Sequence, residues 1–116
     1  MTTKILAAAI LLGAALVGER PAAEEQKKPL PSKIDQGKKI YLKYCAGCHG
    51  IEGQGDGYKL LGADPALLTA PSTQKKSDAA LLRSIHEGKS AMPPWNVRLS
   101  EQEERDVLAY IRTLRK

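Results

Sequence analysis

The chain has 116 residues, a net charge of +5, two cysteines, four tyrosines, one tryptophan and no phenylalanine. That length allows one small domain, and two cysteines exclude a disulfide-stapled scaffold. The modest charge, with no internal repeat or basic motif, gives no reason to expect a nucleic-acid partner.

Met1 to Lys4 is a basic start, and Ile5 to Val17 is an apolar, alanine-rich run, so residues 1–18 read as an export signal. A membrane-spanning helix needs about 20 apolar residues. The fourteen from Ile5 to Gly18 fall short of it, which favours cleavage over retention as a membrane anchor. The small-x-small pattern of a cleavage site fits neither after Gly18, where Leu16 interrupts it, nor after Ala23, where Pro21 does. Residues 19–33 carry three prolines, several charges and almost nothing apolar, the composition of a solvated linker. The folded domain is expected over 34–116.

Ser32 followed three residues later by Asp35 is a helix-start signal, and Ile34, Gly37, Tyr41 and Tyr44 then fall on one helical face. This helix leads into Cys45-Ala46-Gly47-Cys48-His49. Two thiols three apart with a histidine directly after the second form the attachment pattern of a c-type haem. Each cysteine can add across a porphyrin vinyl group to form a thioether, and His49 is then placed to offer an imidazole nitrogen to the iron. A thioredoxin-like centre would need a strand before the motif, where helix is expected. A zinc site would need Cys45, Cys48, His49 and His86, and adjacent Cys48 and His49 are poorly placed for two tetrahedral corners.

Gly50, Gly53, Gly55 and Gly57 come next, without the lysine-serine end of a phosphate loop, and read as a compact turn at the haem edge. Asp64-Pro65 reads as the cap and first residue of a short helical turn through Leu68. Ser77-Asp78 opens a helix with Leu81, Leu82 and Ile85 inward, ended by Gly88. Ser100 and Glu103 form a capping box for the last helix. Its buried stripe is Val107, Leu108, Ile111 and Leu114, and Arg112, Arg115 and Lys116 suit its negative end. No segment reads as a strand, so the fold class is all-α. Helices and loops wrap round one covalently bound haem, whose apolar plate supplies the core that five aromatic residues cannot.

Gly37 to Tyr41, the haem motif, and Val107 to Ile111 resemble the class I cytochromes c, small all-helical electron carriers, and the likeness covers the whole mature domain. The resemblance implies that Gly37 and Tyr41 on the first helix cross Tyr110 on the last at close range, as a glycine in the contact would permit. It also implies a distal methionine ligand in a G-x-x-x-M-P segment, here Gly88 to Pro93, which makes Met92 the expected second axial ligand. Pro93 and Pro94 stiffen that loop. His86 is the rival ligand, although a lone histidine beside a charged helix face is more often a solvated residue. The resemblance further implies a loop carbonyl near a proline that accepts the second N–H of His49, and both Pro65 and Pro71 are candidates. Trp95, Arg83 and Arg98 are candidates for the haem propionates.

The function implied is that of a carrier and not an enzyme. With His49 and Met92 on the iron, no open coordination site remains, and the ligand pair favours ferrous iron relative to two histidines, which suits the positive end of a respiratory chain. Export places it in the periplasm or an equivalent compartment. Loss of residues 1–18 removes Lys4 and leaves a net +4. Lys33, Lys38, Lys39 and Lys43, with Lys75, Lys76 and Lys89 near the distal loop, suit redox donors and acceptors with an acidic docking face. The alternative is a dedicated cytochrome subunit of a larger oxidoreductase complex.

Overall fold

The structure is a computed structural model that describes residues 13–15, 18, 31–59 and 64–116. Most of the segment read as an export signal and most of the linker lie outside the described residues. Among the described residues five helices succeed one another: α1 Lys33–Tyr44, α2 Ala46–His49, α3 Pro71–Gln74, α4 Asp78–Glu87 and α5 Glu101–Arg112, with a 3₁₀ turn at Trp95–Val97 before the last. Among the described residues the β pairing is a single bridge between Lys89 and Met92, so the all-α class holds.

The long helices start where their caps dictate. The Ser32 hydroxyl accepts from Asp35 N–H while the Asp35 carboxylate accepts from Ser32 N–H, and Ser100 and Glu103 repeat the arrangement for α5. Ser77 caps α4 by accepting from Ala80 N–H. Each such cap satisfies helix-end donors that would otherwise lack partners. The helix α1 begins at Lys33, inside the stretch read as linker.

The most extensive helix contact is between α1 and α5. A side chain at Gly37 would run into the backbone carbonyl of Asp106 and touch the Tyr110 Cβ at 3.0 Å, so the absent Cβ is what lets the two backbones meet. One turn on, the Tyr41 and Tyr110 rings lie 5.2 Å apart and tilted by 55°, a favoured geometry for aromatic pairs. Tyr41 and Val107 are fully buried at this crossing. Burial pushes the pKa of the Tyr41 hydroxyl up, and the hydroxyl donates to the Gly50 carbonyl at 2.6 Å, tying the crossing to the residue after His49. Ile34 differs from expectation: it is 45% exposed, because the α1 face that meets α5 is centred on Gly37 and Tyr41.

The Asp64-Pro65 turn does not form. Residues 64–67 have no helical structure, and the helix nearby is α3, opened by Pro71 at its first position with Ala70 as cap. Tertiary hydrogen bonds take the backbone groups a turn would use: Leu68 N–H donates to the Gly53 carbonyl at 2.8 Å, and Ala66 C=O is engaged by His49 at 3.0 Å.

Candidate haem site

The motif occupies the junction of α1 and α2. Cys45 N–H closes α1 on Tyr41 C=O at 2.8 Å, and the N–H groups of Cys48 and His49 both return to Cys45 C=O, so both thiols and the imidazole sit on one tight turn. The two cysteines form no disulfide with each other. Burial, reinforced by nearby Cys48, pushes the Cys45 thiol up to about 12. The glycine loop folds back beneath them: Gly55, Gly57 and Lys59 N–H donate to His49, Cys48 and Gly47 C=O. These bonds satisfy carbonyls that a helix of one turn leaves open.

His49 Nδ1 lies 3.0 Å from Ala66 C=O. A carbonyl oxygen only accepts, so Nδ1 carries the proton and Nε2 keeps its lone pair. Burial lowers the His49 pKa, and the Ala66 bond acts more weakly in the other direction. Of the two prolines that could mark the carbonyl, the structure selects Pro65, whose next residue is Ala66. Pro71 starts α3 instead.

Met92 arrives from α4 by a different device. Gly88 has φ +74°, and a Cβ there would meet Met92 O at 2.6 Å and Pro94 N at 2.7 Å, so only glycine allows the chain to double back this closely. Lys89 and Met92 exchange backbone hydrogen bonds of 2.9 and 2.8 Å around Ser90 and Ala91, with Ser90 at φ 51°. Beyond the two prolines, Trp95 packs on Tyr44 with ring centroids 5.3 Å apart, which fastens the loop to α1.

Cys45, Cys48, His49 and Met92 line one cavity of about 380 Å³, together with Leu68, Leu81, Ile85, Leu108, Ile111 and Trp95. Aliphatic walls, two thiols, an imidazole with one nitrogen already committed and a thioether fit a flat apolar macrocycle that is covalently attached and ligated through iron. Lys59, Lys76 and Lys89 also line the cavity.

His86 stands elsewhere. Its Nδ1 lies 3.0 Å from Glu104 Oε2, and the pair borders a separate groove between α4 and α5 that also contains Arg83. Neither His86, Arg83 nor Arg98 lines the cavity, whereas Trp95 does. Three buried polar residues went unnoticed in the sequence, Glu104, Gln74 and Thr73. Glu104 precedes Val107 and Leu108 by three and four residues, a helical spacing that puts it on the apolar face. Gln74 gave no local signal.

The family model described as cytochrome c oxidase, cbb3-type, subunit III matches residues 32–111. The chain belongs to the class I c-type cytochromes. Cytochrome c-554(547) of Halothiobacillus neapolitanus is 36% identical over 85 residues, covering 68% of this chain and 93% of that protein. FixP, a cbb3-type cytochrome c oxidase subunit of Bradyrhizobium diazoefficiens, is 31% identical over 80 residues, 68% of this chain, and the chain spans 27% of its length. The solved structure of the KustC0563 c-type cytochrome superposes with a TM-score of 0.58 at 31% identity, covering 69% of this chain and 98% of that one. As a c-type cytochrome with one attachment motif, the chain binds one haem c covalently and is an electron carrier, not an enzyme. No helix among the described residues is long and apolar enough to cross a membrane.

Proposed function

We propose that this cytochrome is exported, that Cys45 and Cys48 form the haem thioethers, that His49 and Met92 are the axial ligands, and that it passes single electrons between redox proteins of the periplasm. The observation that carries the ligand set is the shared cavity: the two thiols, the motif histidine and the one methionine of the domain line it together, and His86 does not. The bound haem supplies a ferric/ferrous couple that takes and gives one electron. The chain's own work is to hold that couple still. The Ala66 bond orients His49 and leaves its Nε2 free to ligate, the stiff Gly88–Pro94 loop presents the Met92 thioether, and aliphatic walls exclude water that would otherwise have to reorient with each change of charge. A soft thioether favours ferrous iron, which sets a positive potential.

Lys59, Lys76 and Lys89 at the cavity, with Lys43 close by on α1, support docking to an acidic face on the donor and the acceptor. The attachment is tested by denaturing electrophoresis of the exported protein. Colour is expected to stay on the wild-type chain and to be absent from Cys45→Ala/Cys48→Ala, and haem that washes off the wild type contradicts the proposal. A second reading, a cytochrome subunit resident in a larger oxidoreductase, is favoured by the family model and the FixP match. Stable co-purification with such a complex would select it over a diffusing carrier.

A further inference from the structure

The carbonyl that holds His49 must itself be held, and it lies in a stretch, 64–67, with no helix or strand of its own. Two residues on, Leu68 is fixed on both sides: its N–H donates to Gly53 C=O at 2.8 Å, and its C=O accepts from Gln74 Nε2 at 2.6 Å. Gln74 is the last residue of α3 and only 6% exposed. The same Nε2 donates to Ile111 C=O of α5 at 3.0 Å. Arg112 settles the sense of the amide. Its guanidinium donates to Gln74 C=O at 2.8 Å and approaches Gln74 Oε1 at 3.5 Å, so the amide oxygen faces the cation and the NH₂ faces the two carbonyls. The same guanidinium reaches Lys76 C=O and the Asp78 carboxylate, both at 2.7 Å. A buried primary amide is unfavourable unless its hydrogen bonds are made, and here both of its N–H groups have carbonyl partners.

We infer that Gln74 is a positioning residue for the proximal ligand: by fixing Leu68 against α5 it sets the Ala66 carbonyl against His49 Nδ1–H. The inference rests on the proposed role of His49 as an iron ligand. A carbonyl kept at hydrogen-bonding distance makes an imidazole more electron-rich, which favours ferric iron. Removing the amide donors loosens that carbonyl, so the reduction potential rises.

The test uses full-length holoprotein carrying Gln74→Met or Gln74→Glu. The first keeps the shape without donors, and the second keeps the length and an acceptor facing Arg112 but has no NH₂. Reduction potential at fixed pH and solvent exchange of His49 Nδ1–H by NMR are the readouts. Asp78→Asn, which loosens Arg112 from α4 but leaves the Gln74 amide in place, is the control. Gln74→Met is expected to raise the potential and to speed exchange several-fold, and Gln74→Glu to speed exchange while its added charge offsets the rise in potential; Asp78→Asn lowers the unfolding midpoint and leaves exchange unchanged. A folded Gln74 variant with wild-type potential and exchange overturns the inference and leaves Gln74 a packing role. A measurement without variants guards against misfolding. In the wild type, the Gln74 side-chain amide protons and His49 Nδ1–H are expected to exchange together, and rapid His49 exchange beside a protected Gln74 also overturns the inference. If the ferric wild type shows no paramagnetically shifted His49 resonances, the ligand assignment itself falls, an outcome distinct from shifted resonances that Gln74 variants leave unchanged.

Discussion

The two sides of the haem cavity are built on opposite plans. On the Cys45–Lys59 side the glycine loop folds back on the α2 carbonyls and the whole turn is anchored from outside, by Tyr41 of the helix crossing on Gly50 and by Ala66 on His49. On the Gly88–Pro94 side it is held by its own stiffness, through a two-residue turn, two prolines without N–H groups and a glycine that lets the turn pack on itself. An element held by long-range bonds fails when the fold fails, and one held by local stiffness can open alone. The difference suits the proposed ligands, with a histidine that never leaves and a thioether on the part of the site able to yield.

The largest effect that sharpens this contrast belongs to the helix crossing. Gly37→Val forces a side chain into the Asp106 backbone, which cannot swing aside as a side chain tip could, so α1 and α5 must separate. The expected loss is about 3 kcal/mol of global stability, the upper range for overpacking. Chemical denaturation followed by helix content and by haem absorbance should show both transitions moving together, and wild-type stability would mean that the helices do not meet at Gly37. A smaller and more local loss is expected from Gly88→Ala, which places a Cβ at φ +74° against the Met92 and Pro93–Pro94 backbone. A strained backbone position of this kind costs of order 1–3 kcal/mol. It should appear as loss of distal ligation at a temperature where the helices remain folded. If the helices melt with the distal loop, the two sides are not independent.

The parts legible in the sequence were those fixed by neighbours in the chain. Ser32, Ser77 and Ser100 start their helices because a cap needs only a residue three positions on, and Gly88 ends α4 for a similarly local reason. The Gly37–Tyr41–Tyr110 crossing came from the family resemblance, and the structure bears it out while adding Asp106 as the backbone that Gly37 admits. Asp64-Pro65 carried an equally good local signal and misled, because Gly53 and His49 claim the hydrogen-bonding groups of Leu68 and Ala66. Gln74 was invisible for the same reason, with one of its carbonyl partners 37 residues away in α5. His86 read as a possible ligand until its partner Glu104, buried on α5, drew it to the other side of α4.

The most direct test of the His49/Met92 centre is the far-red absorbance of the ferric protein, where a methionine sulfur on haem iron gives a weak charge-transfer band. Wild type is expected to show the band, and His86→Ala to keep it. Met92→Ala is expected to lose it, to bind carbon monoxide when reduced, and to fall in potential because a soft ligand that favours ferrous iron is gone. A band that survives in Met92→Ala, or a wild type that lacks it and whose iron opens in His86→Ala, would contradict that centre and the positive-potential role built on it.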